Sequence, residues 1–165
     1  MARRPELTGH VAVYADGRLE AGPAARAVLR TLLTALLDAG PQPLRLALSG
    51  VLAAPGTPAS RPLRRELLDV LLARESDPAV LEAVLRAAAR TTGPEPRVLV
   101  HRTGLLLVRT TEGAARFDRC LADLAAHVPG FATAVAGWLA DAPREWAALI
   151  GPATRDVVEN AAVTA

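Results

Sequence analysis

From Pro23 onward the apolar residues recur at steps of three and four, as in Val28, Leu29, Leu32, Leu33, Leu36 and Leu37, and this spacing predicts amphipathic helix. A helix turns once in 3.6 residues, so these side chains gather on one wide face, whereas a strand would send them alternately to two. The same pattern returns: Arg30-Thr31-Leu32-Leu33-Thr34-Ala35-Leu36-Leu37 and Arg65-Glu66-Leu67-Leu68-Asp69-Val70-Leu71-Leu72 share R-x-L-L-x-x-L-L at a shift of thirty-five positions. A further shift of thirty-six aligns Leu71-Leu72 with Leu107-Val108, Leu81 with Phe117, and Val84-Leu85 with Cys120-Leu121.

Prolines and glycines divide the pattern into segments. Gly40-Pro41 ends the first helix, and a shorter apolar segment from Leu44 to Leu52 runs into the loop Ala54-Pro55-Gly56-Thr57-Pro58. Helices are expected from Pro62 to Arg74 and from Pro78 to about Thr92, the second capped by Asp77 and closed by Gly93-Pro94-Glu95-Pro96. Thr111 is placed to cap a helix through Ala126, and Pro129, Pro143 and Pro152 mark three further short helices, since proline is tolerated in a first turn and interrupts anything longer. Two segments admit strands. His10 to Leu19, with Asp16-Gly17 as its turn, would suit a short N-terminal β-hairpin. Arg97 to Thr110 reads either as a helix or as two strands around Thr103-Gly104, with the repeat register favouring helix.

Over residues 23–126 the paired helices and the period in the middle thirties resemble HEAT and armadillo-type α-solenoids. The resemblance implies antiparallel helix pairs that bury their apolar faces against neighbouring pairs, with 127–165 as a terminal cap. An irregular helical bundle satisfies the same spacing. The expected fold is therefore all-α, a single helical domain over 1–165, with an N-terminal segment at 1–21 and helix pairs over 22–126.

Composition removes several function classes. Apolar residues make up 51% of the chain and aromatics 3%, so the core must be built from Leu, Val and Ala. All nineteen basic residues are arginine, a bias expected of a GC-rich, actinobacterial type of genome, so their number alone is poor evidence for phosphate binding; a net charge of +2 adds little long-range field. Without lysine there is neither a P-loop lysine nor a Schiff-base lysine. The single Cys120 excludes an intrachain disulfide and reads as a buried apolar group. His10, His101 and His127 show no metal-ligand spacing, and His127 suits a helix C-terminus. Ser49-Gly50 lacks the preceding glycine of a nucleophile elbow. No cofactor or metal is expected, no apolar run reaches membrane-spanning length, and the chain is expected to be cytoplasmic.

Binding remains as the expected activity. The role that fits is a non-catalytic adaptor for another protein, with a nucleic-acid-binding regulator as the alternative and a small enzyme or ligand-binding bundle as a third. The candidate contacts are Arg61, Arg64 and Arg65, then Arg102 and Arg109 if successive helices align, and Trp138 and Trp146. The tryptophans read either as exposed anchors or as large side chains closing the end of the core. Arg65 with Asp69, Glu82 with Arg86, Glu112 with Arg116, and Arg119 with Asp123 stand four residues apart, as on solvated helix faces.

Overall fold

A computed structural model of the chain describes residues 5–91 and 95–164. Among these there is no strand. Ten helices follow one another: α1 (Pro5–Leu19), α2 (Pro23–Ala39), α3 (Gln42–Ala53), α4 (Arg61–Arg74), α5 (Pro78–Ala88), α6 (Glu95–Leu107), α7 (Gly113–His127), α8 (Phe131–Asp141), α9 (Pro143–Ala147) and α10 (Pro152–Thr164). They fall into two compact units, residues 1–87 and 88–165.

The prolines stand where a helix tolerates them: Pro23, Pro78, Pro143 and Pro152 each open a helix, and Pro62 and Pro96 lie in first turns. Several boundaries differ from the expected ones. The segment proposed as an N-terminal hairpin is the body of α1. Its Ala15 and Leu19 are one helical turn apart and fully buried, so tertiary packing overrides the Asp16-Gly17 turn signal. Thr111 does not cap α7. Glu112 holds the N-cap position, with no side-chain capping hydrogen bond and its backbone in the left-handed region (φ 57°), and Gly113 follows where any Cβ would collide with the Leu107 carbonyl. Residues 97–107 are helix, and α5 ends at Ala88, where Thr91 donates its hydroxyl to the Ala88 carbonyl. The expected end at Thr92 and the Gly93-Pro94 break lie outside the described residues.

In unit 1, α2 packs on α4, α3 on α1 and α4, and α1 on α2. Arg30 of α2 pairs with Glu66 of α4 at 3.0 Å, and Asp38 pairs with Arg74, each time across thirty-six positions. The two helices therefore run parallel, close to the thirty-five-residue shift of their shared motif. Leu29, Leu33 and Leu37 of α2 are buried, as are Leu63, Leu67 and Leu71 of α4. The repeat-equivalent positions are not all equivalent in burial: Val28 and Leu32 are exposed, whereas Leu63 and Leu67, thirty-five residues on, are covered. At the turn into α5, the buried Glu75 carboxylate accepts from Arg45 Nε at 2.8 Å and from the Ser76 and Asp77 amides, and Asp77 accepts from the Ala79 amide.

In unit 2, α7 is packed by α6, α8 and α10. Its Asp118 is buried and accepts hydrogen bonds from the Ala153 and Thr154 amides, both at 3.0 Å, so a carboxylate on one helix satisfies the first amides of another. Thr154 donates its hydroxyl back to the Asp118 carbonyl at 3.0 Å. Cys120 is buried on the same helix. Phe131, Trp138, Trp146 and His101 form a chain of ring contacts, with Trp138 stacked on Trp146 at 5.0 Å and His101 edge-on to Trp146 at 5.1 Å.

Candidate interaction surface

The inner face of α6 carries Val100, Thr103 and Leu107, all fully buried. Between them, Gly104 lets the helix come down on the Phe117 ring of α7; a Cβ at this position would lie 2.7 Å from the Phe117 Cζ. Beside this seat His101 abuts Trp146, and Arg97 reaches Asp141 of α8 at 3.2 Å. The helix is thus held on two sides, and its opposite face is exposed.

That outward face carries Val98, Arg102 and Leu105, with Arg109 following one turn on. Val98 is 69% exposed and Leu105 42%, and both arginines are exposed, while Leu99 and Leu106 flank the line half-buried. Val108 still bonds to the Gly104 carbonyl at 2.9 Å and the Arg109 amide to the Leu106 carbonyl at 3.2 Å, so the ridge continues past the formal end of the helix. No acidic residue occurs from Pro96 to Thr111.

The other candidate residues stand apart from this ridge. Arg64 is 4% exposed. Its Nη2 donates to Asp16 at 2.8 Å and to Glu20 at 2.7 Å, its Nε to the Ser60 hydroxyl at 3.2 Å, and its Nη1 to the Val51 carbonyl. Gly56 makes room for it, since a Cβ there would lie 2.3 Å from the Arg64 Nε. Arg61 and Arg65 are exposed on α4, where Glu66 and Arg74 are already taken up in ion pairs with α2. Trp138 and Trp146 are both buried in unit 2. The arginine stripe read from the sequence is thereby interrupted, and its members Arg102 and Arg109 come together with exposed Val98 and Leu105. The 98–102–105–109 spacing was the available signal.

Glu20 accepts hydrogen bonds from Ser60 and Thr57 and then from Arg64, and together these lower its pKa from 4.5 to about 2. A carboxyl depressed in the folded state contributes stability that is present above its unfolded pKa and is lost as pH falls through the folded one. The urea midpoint of unit 1 should therefore decline between about pH 4.5 and 2, and in Glu20→Gln the decline over this window should be shallower. Parallel curves for the two proteins would show that the carboxyl is not held in this way.

Among the described residues no group of three or more His, Cys, Asp or Glu side chains could hold a metal ion, and no helix is long and apolar enough to cross a membrane. His10 is exposed, and the His127 Nδ1 lies 2.8 Å from the Asp123 carbonyl and 3.2 Å from its carboxylate. Compared with protein-family models, curated proteins and solved structures, the chain matches none.

Proposed function

We propose that the chain is a non-catalytic helical interaction module that holds a protein partner along the outward ridge of α6. The observation that carries this reading is the alternation of exposed Val98 and Leu105 with exposed Arg102 and Arg109 on a helix fixed from behind by Phe117 and Trp146. Full burial of a Val or Leu side chain is worth about 1.5–3 kcal/mol, and Arg109 beside them adds a charge-assisted hydrogen bond to a partner carboxylate. A pre-formed helix loses little conformational freedom on binding, which leaves more of that gain as affinity. The parallel α2–α4 register supports a solenoid-like reading of the helix pairs in unit 1. A nucleic-acid partner has less support, because Arg64, Arg74 and Arg97 are engaged with carboxylates.

Site-specific photo-cross-linking tests the proposal. A benzophenone side chain at Val98 should yield a defined protein adduct in extract of the native host, absent when the probe replaces exposed Glu159 on α10 and reduced by Arg102→Glu. Identical adduct patterns from the two probe positions would overturn the assignment.

A further inference from the structure

We infer that two copies of the chain pair through the exposed face of α2, helix against antiparallel helix about a two-fold axis. The proposal concerns unit 1 and stands independently of the α6 ridge.

The α2–α4 packing defines the face. At about 100° per residue, Leu63 and Leu67 lie on the side of α4 that also carries Glu66 and Arg74, the two residues that pair with α2. Thirty-five positions earlier, Val28 and Leu32 hold the equivalent places on α2, yet they are 69% and 48% exposed. Arg30 and Asp38, which reach α4, stand about 160° and about 120° from Leu32 in opposite senses around the axis, so Leu32 faces away from α4. The surface by which α4 receives α2 thus recurs on α2 and is open. In stacked helix pairs a face left to water is polar. This one presents Val28, Thr31, Leu32, Ala35 and Ala39, all exposed.

Charge selects the occupant. Where α4 answers Arg30 and Asp38 with Glu66 and Arg74, the equivalent places on α2 hold Thr31 and Ala39, so a further repeat stacked in the same register would find no countercharge. The three charged residues of α2 all stand about 120° or more from Leu32, and each is engaged within unit 1: Arg26 with the Ala21 carbonyl, Arg30 with Glu66 and Asp38 with Arg74. An uncharged face is its own complement, because a second copy brings no like charge against it.

Side-chain size selects the direction. Val28, Leu32, Ala35 and Ala39 follow at steps of four, three and four, the spacing of a helix-pairing seam. The two larger residues come first and the two smaller ones last. In antiparallel pairing Val28 therefore meets the partner's Ala39 and Leu32 the partner's Ala35, large against small along the seam, and the alanines let the helix axes approach to about 8 Å. Parallel pairing would set large on large at one end and leave a gap at the other.

Sedimentation equilibrium of the full chain, from about 1 µM to about 1 mM, should show monomer and dimer in exchange. Leu32→Glu alone and Ala35→Arg alone should each weaken the dimer about tenfold or more. Mixed in equal amounts, the two variants should dimerise again, because the antiparallel register sets position 32 against position 35 of the other copy; misfolded chains would not recover on mixing. Leu32→Glu mixed with Val28→Arg should stay monomeric, since that register holds the two positions roughly 10 Å apart along the seam. A chain that is monomeric throughout the series, a dimer that Leu32→Glu leaves intact, or recovery that is not specific to Ala35→Arg overturns the inference.

Discussion

Trp146→Ala is expected to destabilise unit 2 by about 3–5 kcal/mol, the cost of emptying a large buried aromatic site that its surroundings fill only in part. The side chain is fully buried, stacked on Trp138 at 5.0 Å and abutted by His101 at 5.1 Å, with Leu149 and Ile150 buried on the same turn. At about 0.05–0.15 kcal/mol per residue, a unit of this size has a total stability of the same order, so the substitution should unfold much of it. Far-UV circular dichroism across a urea titration reads this as an early transition that removes part of the helical signal. Because His101 lies on α6, the same change should loosen the seat of the proposed docking ridge. A midpoint shift corresponding to less than about 1 kcal/mol would mean that Trp146 does not organise this core.

Arg64→Met is expected to cost unit 1 about 3 kcal/mol, although the replacement fits the volume and removes a charge from the interior. The loss comes from what is left behind. Val51 and Ser60 lose a donor, and Asp16 and Glu20, four residues apart at the end of α1, lose the cation they share. Asp16 is more than half exposed and Glu20 about a third, so solvent screens part of the repulsion and the cost stays at the lower end of that for breaking a buried pair. Adding Asp16→Asn and Glu20→Gln should return part of the lost stability, a coupling that a double-mutant cycle measures directly. If the combined variant is no more stable than Arg64→Met alone, the network does not act as a unit.

The helical frame was legible because proline and leucine carry their meaning locally. A proline restricts a helix to starting near it, and leucines at three- and four-residue steps mark a helical face, so α2, α4 and the starts of α5, α9 and α10 could be placed closely from the sequence. α1 was harder to place. Asp16-Gly17 is a good hairpin turn in isolation, and only the packing of Ala15 and Leu19 decides for helix. The α7 start depended on a left-handed residue at Glu112 and on the Leu107 carbonyl beside Gly113, neither of which leaves a mark at Thr111. Of the candidate contacts, Arg102 and Arg109 were visible as a spaced pair. Arg64 looked like one of that set because its carboxylate partners lie 48 and 44 positions upstream, beyond any reading of neighbours along one helix. The exposure of Val98 was hidden for a related reason: which apolar side of α6 faces inward is set by Gly104 meeting Phe117, a contact between two helices.

The placement of the rarer side chains has a practical consequence for spectroscopy. Both tryptophans and the one cysteine belong to unit 2, and the one tyrosine, Tyr14, belongs to unit 1. Indole emission and the rate at which Cys120 reacts with a thiol reagent therefore report the opening of the second half of the chain, whereas Tyr14, already more than half exposed, changes its surroundings little. Set beside the far-UV signal, to which the helices of both halves contribute, these reporters of the second half establish whether the two melt together or in turn.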